Sequence, residues 1–334
     1  MPGYSKPKTQ PKKSWAAHFG TMNYPSMQWK VNSIGDLTGK TILITGANSG
    51  IGLEAFKILG ARGATMIMAS RNPDKANKAL EHVRSEVPNA KTDFIQLDLA
   101  SLASVKAAAN AFKSKYDKLD ILINNGGVAW HPRKTTADGF ELHFGTNHLG
   151  HFALGGHLLG SLLKADSPRI VAIASIAHRF GYIHFDDLQL EKGYNMFASY
   201  GQSKMANLLY IFELNRLAQK ASVNLMPIAA HPGMSSTNLA TSGIEGHGQS
   251  LLAQLTDRMQ GLVTQSAYDG SLPTVRAATD PEAAGGDYYG PRDLFEAIGP
   301  PVKVGTNDYA KREDVAAQLW QVSEELTGVK YEFD

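Results

Sequence analysis

Residues 41–59 read Thr41-Ile42-Leu43-Ile44-Thr45-Gly46-Ala47-Asn48-Ser49-Gly50-Ile51-Gly52-Leu53-Glu54-Ala55-Phe56-Lys57-Ile58-Leu59. The first four are a continuous apolar run, the signature of a strand buried on both faces. Three glycines follow, then an apolar helical pattern through Leu53, Phe56, Ile58 and Leu59. Strand, glycine turn and helix start, in that order, are what a dinucleotide pyrophosphate needs. Gly46 lets the chain turn off the strand, Gly50 lets amides approach phosphate, and Gly52 lets the helix sit close to the sheet with its positive end toward the anion. A glycine trio alone also serves as a plain strand-to-helix connection, so the rest of the chain decides.

Beyond this unit, apolar runs alternate with helical patterns. Strands are expected at Ala64–Ala69, Phe94–Leu97, Asp120–Ile123, Arg169–Ala174 and Val223–Ala230, with a short one at Tyr288 and Tyr289. Helices are expected after Asn72-Pro73, from Ser101 to Phe112, within Phe140–Leu163, and over Tyr200–Gln219, Ser266–Thr279 and Arg312–Leu326. Such alternation implies an α/β fold: one domain with a doubly wound parallel sheet of Rossmann type and helices on both faces. Ligands then bind beyond the carboxyl ends of the strands, where Gly46, Ser70, Asp98, Asn124, Ser175 and His231 fall.

The 334 residues are 43% apolar, carry a net charge of +2 and contain no cysteine. Disulfides, thiolate metal sites and thiol catalysis are therefore excluded. Residues 1–14 hold four lysines and no acid, and read as a disordered basic tail. Residues 15–37, with Trp15, Phe19, Tyr24 and Trp29, read as an arm packed on the body, and residues 38–334 as the dinucleotide-binding domain. With no second basic cluster, no signal-peptide core and no long apolar window, a soluble intracellular protein without nucleic-acid partner or integral membrane segment is expected.

Tyr200 and Lys204 lie one helical turn apart on one face. An adjacent cation favours phenolate, bringing a group with an ordinary pKa of about 10 toward use as an acid or base. Ser175 ends a strand, where its hydroxyl can meet a substrate oxygen, and Asn147 sits inside a helical pattern that asparagine disfavours. His143, His148, His151 and His157 crowd one helix without cysteine or carboxylate at ligand spacing, so no metal is expected. The stripe Met205, Leu208, Leu209, Phe212 reads as core or as a subunit interface, which leaves a homodimer or homotetramer open.

Taken together, Thr45–Gly52, Asp98, Asn124-Asn125-Gly126-Gly127, Asn147, Ser175, Tyr200 with Lys204, and Pro232-Gly233 with Thr237 resemble the short-chain dehydrogenase/reductase superfamily. Thr146–Phe152, Ile173–His178 and Ile183-His184-Phe185 are most similar to its retinol-dehydrogenase-like group and soluble relatives. The resemblance implies that Tyr200 exchanges the proton of the substrate oxygen while Ser175 hydrogen-bonds it. Lys204 would hold the nicotinamide ribose and lower the Tyr200 pKa, and Asn147 would position a water leading to Lys204. It further implies a cofactor bed of Gly46, Asn48, Ser49, Gly50, Ile51 and Gly52, with Asp98 and Leu99 at the adenine. Asn125 and Gly126 would pass the adenine ribose, and Pro232, Gly233 and Thr237 would cover the carboxamide and pyrophosphate.

At the end of the second strand, Ser70 stands where NAD-preferring relatives have a carboxylate, and Arg71 follows it, so NADP(H) is expected over NAD(H). Two departures from the family pattern are visible. Gly126 replaces an alanine, which is expected to be tolerated. An insert at residues 179–199 carries Phe180, Tyr182, Phe185, Tyr194, Met196 and Phe197 and is expected to wall the substrate pocket. Residues 235–262 are expected to form a loop closing over the substrate.

The expected function is an NADP(H)-dependent interconversion of carbonyl and alcohol on a fairly apolar small molecule. Two alternatives stay open: reduction of a carbon-carbon double bond, for which related enzymes use a cysteine absent here, and a catalytically silent NADPH sensor or scaffold.

Overall fold

The computed structural model describes residues 29–235 and 264–333. The expected tail, the arm up to residue 28, Thr237 and nearly all of the expected substrate loop lie outside the described residues.

Seven parallel strands and one antiparallel edge strand make one sheet, ordered β3-β2-β1-β4-β5-β6-β7-β8. In chain order the elements are β1 (Thr41–Thr45), α1 (Gly50–Gly60), β2 (Thr65–Ser70), α2 (Pro73–Glu86), β3 (Lys91–Gln96), α3 (Leu102–Lys115) and β4 (Ile121–Asn124). A π-helical turn (Phe144–Leu149) runs into α4 (Gly150–Leu163), followed by β5 (Arg169–Ile173) and a 3-10 turn (Ile176–Phe180). Then come α5 (Met196–Lys220), β6 (Met226–Ala230), α6 (Ala267–Thr279), β7 (Tyr288–Asp293), β8 (Ile298–Lys303) and α7 (Glu313–Thr327).

Alternate residues of the central strands feed two cores, one on each face. Leu43, Ile67, Ile95 and Leu122 join the helices on one side, while Ile42, Ile44, Met66, Met68 and Ile123 join those on the other. With both faces covered, a central strand carries no polar alternation, hence the continuous apolar runs. Trp29, Val31 and Leu37, from the described end of the arm, pack on the second core. Capping residues fix the helix starts: the Asn72 side chain accepts from Lys75 N at 2.9 Å, with Pro73 in the first turn of α2.

Beyond shifts of three residues at the starts of β3 and β6, the structure differs from the sequence reading in two elements. Helix α5 begins at Met196, four residues before Tyr200, because Asn195 caps it by accepting from the amides of Phe197 and Ala198. Strand β8 had no counterpart in that reading: Pro300 and Pro301 argue against a strand, yet at a sheet edge the missing N–H groups cost no ladder bonds.

Met205, Leu208 and Leu209 are fully buried, so most of the α5 stripe is core. Helix α7 and the segment after it close this side. The Trp320 ring lies 5.0 Å from Phe152, and the Tyr331 hydroxyl donates to Phe152 O at 2.7 Å and bonds the Tyr210 hydroxyl at 2.8 Å. Among the described residues, no helix is long and apolar enough to cross a membrane.

Candidate active site

The turn leaving β1 is locked to the turn leaving β4. Gly46 has φ +66, and a Cβ there would stand 2.7 Å from Gly126 Cα. A Cβ at Gly52 would stand 2.4 Å from Asn125 Nδ2, which itself donates to Thr45 O at 2.9 Å. The Thr45 hydroxyl accepts from the amides of Asn125 (2.9 Å) and Gly126 (2.8 Å) and bonds His151 Nε2 at 2.8 Å. The Asn125 side chain is thus committed to the glycine turn, while Asn48, Ser49 and Ile51 lie along that turn and the start of α1. A methyl at Gly126 would meet Leu99 Cδ1 at 2.9 Å, so alanine there requires Leu99 to shift.

At the end of β2, Ser70 is buried, and its hydroxyl has no hydrogen-bond partner among the described residues; Arg71 beside it is exposed. Lys75 and Lys78 of α2 face Asn48 and Ser49 across a groove of about 390 Å³. These two lysines add positive charge that sequence reasoning missed, and the α2 pattern offered no reason to single them out. At the end of β3, Asp98 accepts from Ala100 N at 3.0 Å. Gly233 has φ +65, and Pro232 O accepts from Gln265 Nε2 at 2.7 Å.

Asn147 sits in the π-helical turn, a local widening of the helix that recurs at functional sites. Its Oδ1 accepts from Val128 N at 2.8 Å, while Nδ2 donates to Val128 O (3.0 Å) and Ser203 Oγ (2.9 Å). The side chain braces the loop after β4 against α5. The Asn147 carbonyl accepts from His151 Nδ1 at 2.9 Å. His148, instead, bonds Ser323 Oγ at 2.8 Å, so the two imidazoles serve different elements. Burial lowers His148 to about 3 and His151 to about 4, and both are neutral.

Ser175, Tyr200 and Lys204 come together at the end of β5. Ser175 stands beside the Tyr200 phenol and acts to lower its pKa. Lys204 Nζ lies 5.6 Å from the Tyr200 ring centroid and donates to Ile173 O at 3.0 Å. Both side chains are almost fully buried. Removal from water is the largest effect on the Tyr200 phenol and raises its pKa to about 12, with Ser175 pulling the other way; the same burial lowers Lys204 to about 8.

Two further groups at this end of the sheet were missed. Glu296 pairs with Arg179 (2.7 Å) and His231 (3.1 Å), tying the 3-10 turn after Ser175 to the β7–β8 hairpin. Trp130 packs its ring 4.7 Å from that of Tyr200. The nearest signal for either was local: an aromatic residue shortly after Gly127, and an acid in the hairpin turn.

The model for short chain dehydrogenases matches residues 40–246. The chain belongs to the short chain dehydrogenase family. Short chain dehydrogenases are oxidoreductases, and this chain is one of them. It is 37% identical to human retinol dehydrogenase 13 over 298 residues, covering 88% of this chain and 86% of that one. It is 36% identical to short-chain dehydrogenase/reductase drtF of Aspergillus calidoustus over 312 residues, covering 86% and 94%. A crystal structure of an uncharacterized protein from Mycobacterium paratuberculosis superposes with a TM-score of 0.76 at 36% identity, covering 92% of this chain and all of that one. A short chain dehydrogenase from Shigella flexneri, complexed with NADP, shares the fold at 23% identity and a TM-score of 0.56, covering 73% and 92%.

Proposed function

We propose that this chain interconverts a carbonyl, aldehyde or ketone, and an alcohol on a fairly apolar small molecule, with NADP(H) as cofactor and Tyr200 as general acid and base. One observation carries the reading: the Tyr200 phenol, next to Ser175, is buried at the end of β5 with Lys204 beside its ring. The relatives' name, retinol dehydrogenase, supports alcohol chemistry. Phe180 and Phe197, 66% and 61% exposed in the 179–199 insert, support an apolar substrate.

The residues fit the dinucleotide. Gly46, Asn48, Ser49, Gly50, Ile51 and Gly52 would hold the pyrophosphate against α1, with Asp98 and Leu99 at the adenine and Pro232 and Gly233 over the nicotinamide end. The Ser70 hydroxyl, without a hydrogen-bond partner among the described residues, would hold a 2′-phosphate together with Arg71 and the lysines of the neighbouring groove. When bound, the dinucleotide supplies or accepts the hydride.

In carbonyl reduction Ser175 donates to the carbonyl oxygen, and Tyr200 gives that oxygen its phenolic proton as negative charge builds there. The Lys204 ammonium stabilises the phenolate left behind, and Asn147 keeps the wall behind it rigid.

Below about pH 8 both Tyr200 and Lys204 carry their protons, and above it Lys204 becomes neutral while Tyr200 remains a phenol. The free-enzyme kcat/KM for reduction is therefore expected to be level below about pH 8 and to fall about tenfold per pH unit above it. Lys204→Arg, which stays charged, should remove that limb; a pH–rate profile of both proteins checks this.

The reading is tested by following NADPH and NADH oxidation with a panel of aldehydes and ketones. NADPH turnover is expected, and Ser70→Asp should shift the NADPH-to-NADH ratio of kcat/KM by about 100-fold toward NADH through like-charge repulsion. Tight NADPH binding without turnover of any carbonyl would favour the sensor reading.

A further inference from the structure

Trp130 is held in a conformation that its own chemistry disfavours. Its φ is +58, in the left-handed region, although it is a bulky residue and not glycine. Such a backbone persists only where its surroundings over-determine it, and here they do. Both backbone polar groups of the next residue are held: His131 N–H donates to His143 Nε2 at 3.3 Å, and His131 C=O accepts from the Tyr194 hydroxyl at 2.9 Å. His143 is fully buried, and its Nδ1 bonds Glu141 Oε1 and Ser199 Oγ, each at 3.0 Å. Glu141 and Ser199 are themselves fully buried, and Ser199 directly precedes Tyr200. The clamp thus fixes the Trp130 backbone relative to the tyrosine.

The result is an aromatic row. The half-buried Trp130 ring stands 4.7 Å from the Tyr200 ring on one side and 5.0 Å from the solvent-facing Phe197 ring on the other. A substrate whose oxygen reaches the Tyr200 hydroxyl must lay its next carbons beside that tyrosine. A flat unsaturated group can stack there at van der Waals distance, whereas a saturated ring turns axial hydrogens against the same surface. Resting on the carbonyl–alcohol reading above, we propose that Trp130, with Phe197, is a specificity-determining platform that selects carbonyl compounds flat beside the reacting carbon, aryl or conjugated, over saturated ones of equal size.

The test uses benzaldehyde and cyclohexanecarbaldehyde, which match in carbon count, with NADPH and the wild-type, Trp130→Phe and Trp130→Ala proteins. Because the two aldehydes differ in intrinsic reactivity, the readout is how their kcat/KM ratio changes between proteins. The ratio of benzaldehyde to cyclohexanecarbaldehyde is expected to fall about tenfold in Trp130→Ala and to return within about threefold of wild type in Trp130→Phe. Equal losses for both aldehydes, leaving the ratio unchanged, would make Trp130 a packing residue only and overturn the proposal. If the wild type reduces neither these aldehydes nor any other carbonyl of the panel while NADPH binds, the carbonyl–alcohol reading fails by itself, and equilibrium binding of the same two aldehydes judges the platform. Weaker benzaldehyde binding in Trp130→Ala would support it, and unchanged binding would overturn it.

Discussion

Tyr200→Phe is expected to lower kcat for carbonyl reduction by about 10³-fold while NADPH affinity changes less than about twofold. The substitution removes one oxygen and keeps the ring that packs against Trp130 and against His143, whose centroid lies 6.1 Å away. Nothing in the glycine turn or at Ser70 touches that oxygen, so the cofactor bed is left intact. What is lost is the proton donor beside Ser175. Steady-state rates with NADPH in excess, beside a fluorescence titration of NADPH, separate the two effects. Undiminished turnover in the variant would remove Tyr200 from the chemistry.

Gly46→Val is expected to have the largest effect on the folded state. Valine at φ +66 incurs about 1–2 kcal/mol for the left-handed conformation alone. Its Cβ would also stand 2.7 Å from Gly126 Cα and 3.3 Å from Gly126 N, backbone atoms with no rotamer by which to move away. Overpacking against fixed atoms adds about 1–3 kcal/mol, and NADPH binding should fail with it because the two turns share one bed. Gly139 supplies the control: its φ is +86 and nothing lies within 4 Å of its would-be Cβ, so Gly139→Val incurs the conformational cost without the clash. Denaturant unfolding of both variants should show the Gly46 variant markedly less stable. Equal midpoints would mean that close approach of the two turns does not matter.

How far the sequence disclosed the molecule follows from the range of the forces involved. The parallel strands as far as β6 were legible because burial on both faces writes itself as local apolar runs such as Ile42-Leu43-Ile44. Capping is also local, and the Asn72-Pro73 start of α2 was readable for that reason. Asn195 does the same for α5, but it stands in a polar stretch where no apolar periodicity announces a helix. Pro300 and Pro301 hid β8, since a strand at the edge obeys different rules from one inside the sheet.

At the candidate site, Tyr200 with Lys204 was legible because a spacing of four places both on one helical face. The burial of Tyr200, which raises its pKa, was not, because it depends on residues far apart in the chain. The Trp130 clamp draws on residues 131, 141, 143, 194 and 199, and no local pattern links them.

The most direct test of the proposed chemistry is the fate of hydride from NADPH deuterated at C4 when the protein acts on an α,β-unsaturated aldehyde. If Tyr200 and Ser175 serve a carbonyl oxygen, the deuterium is expected on the former carbonyl carbon of an allylic alcohol. Deuterium on the β-carbon of a saturated aldehyde would instead assign double-bond reduction, and bound but unconsumed NADPH would assign a sensor; either result would contradict the carbonyl–alcohol reading.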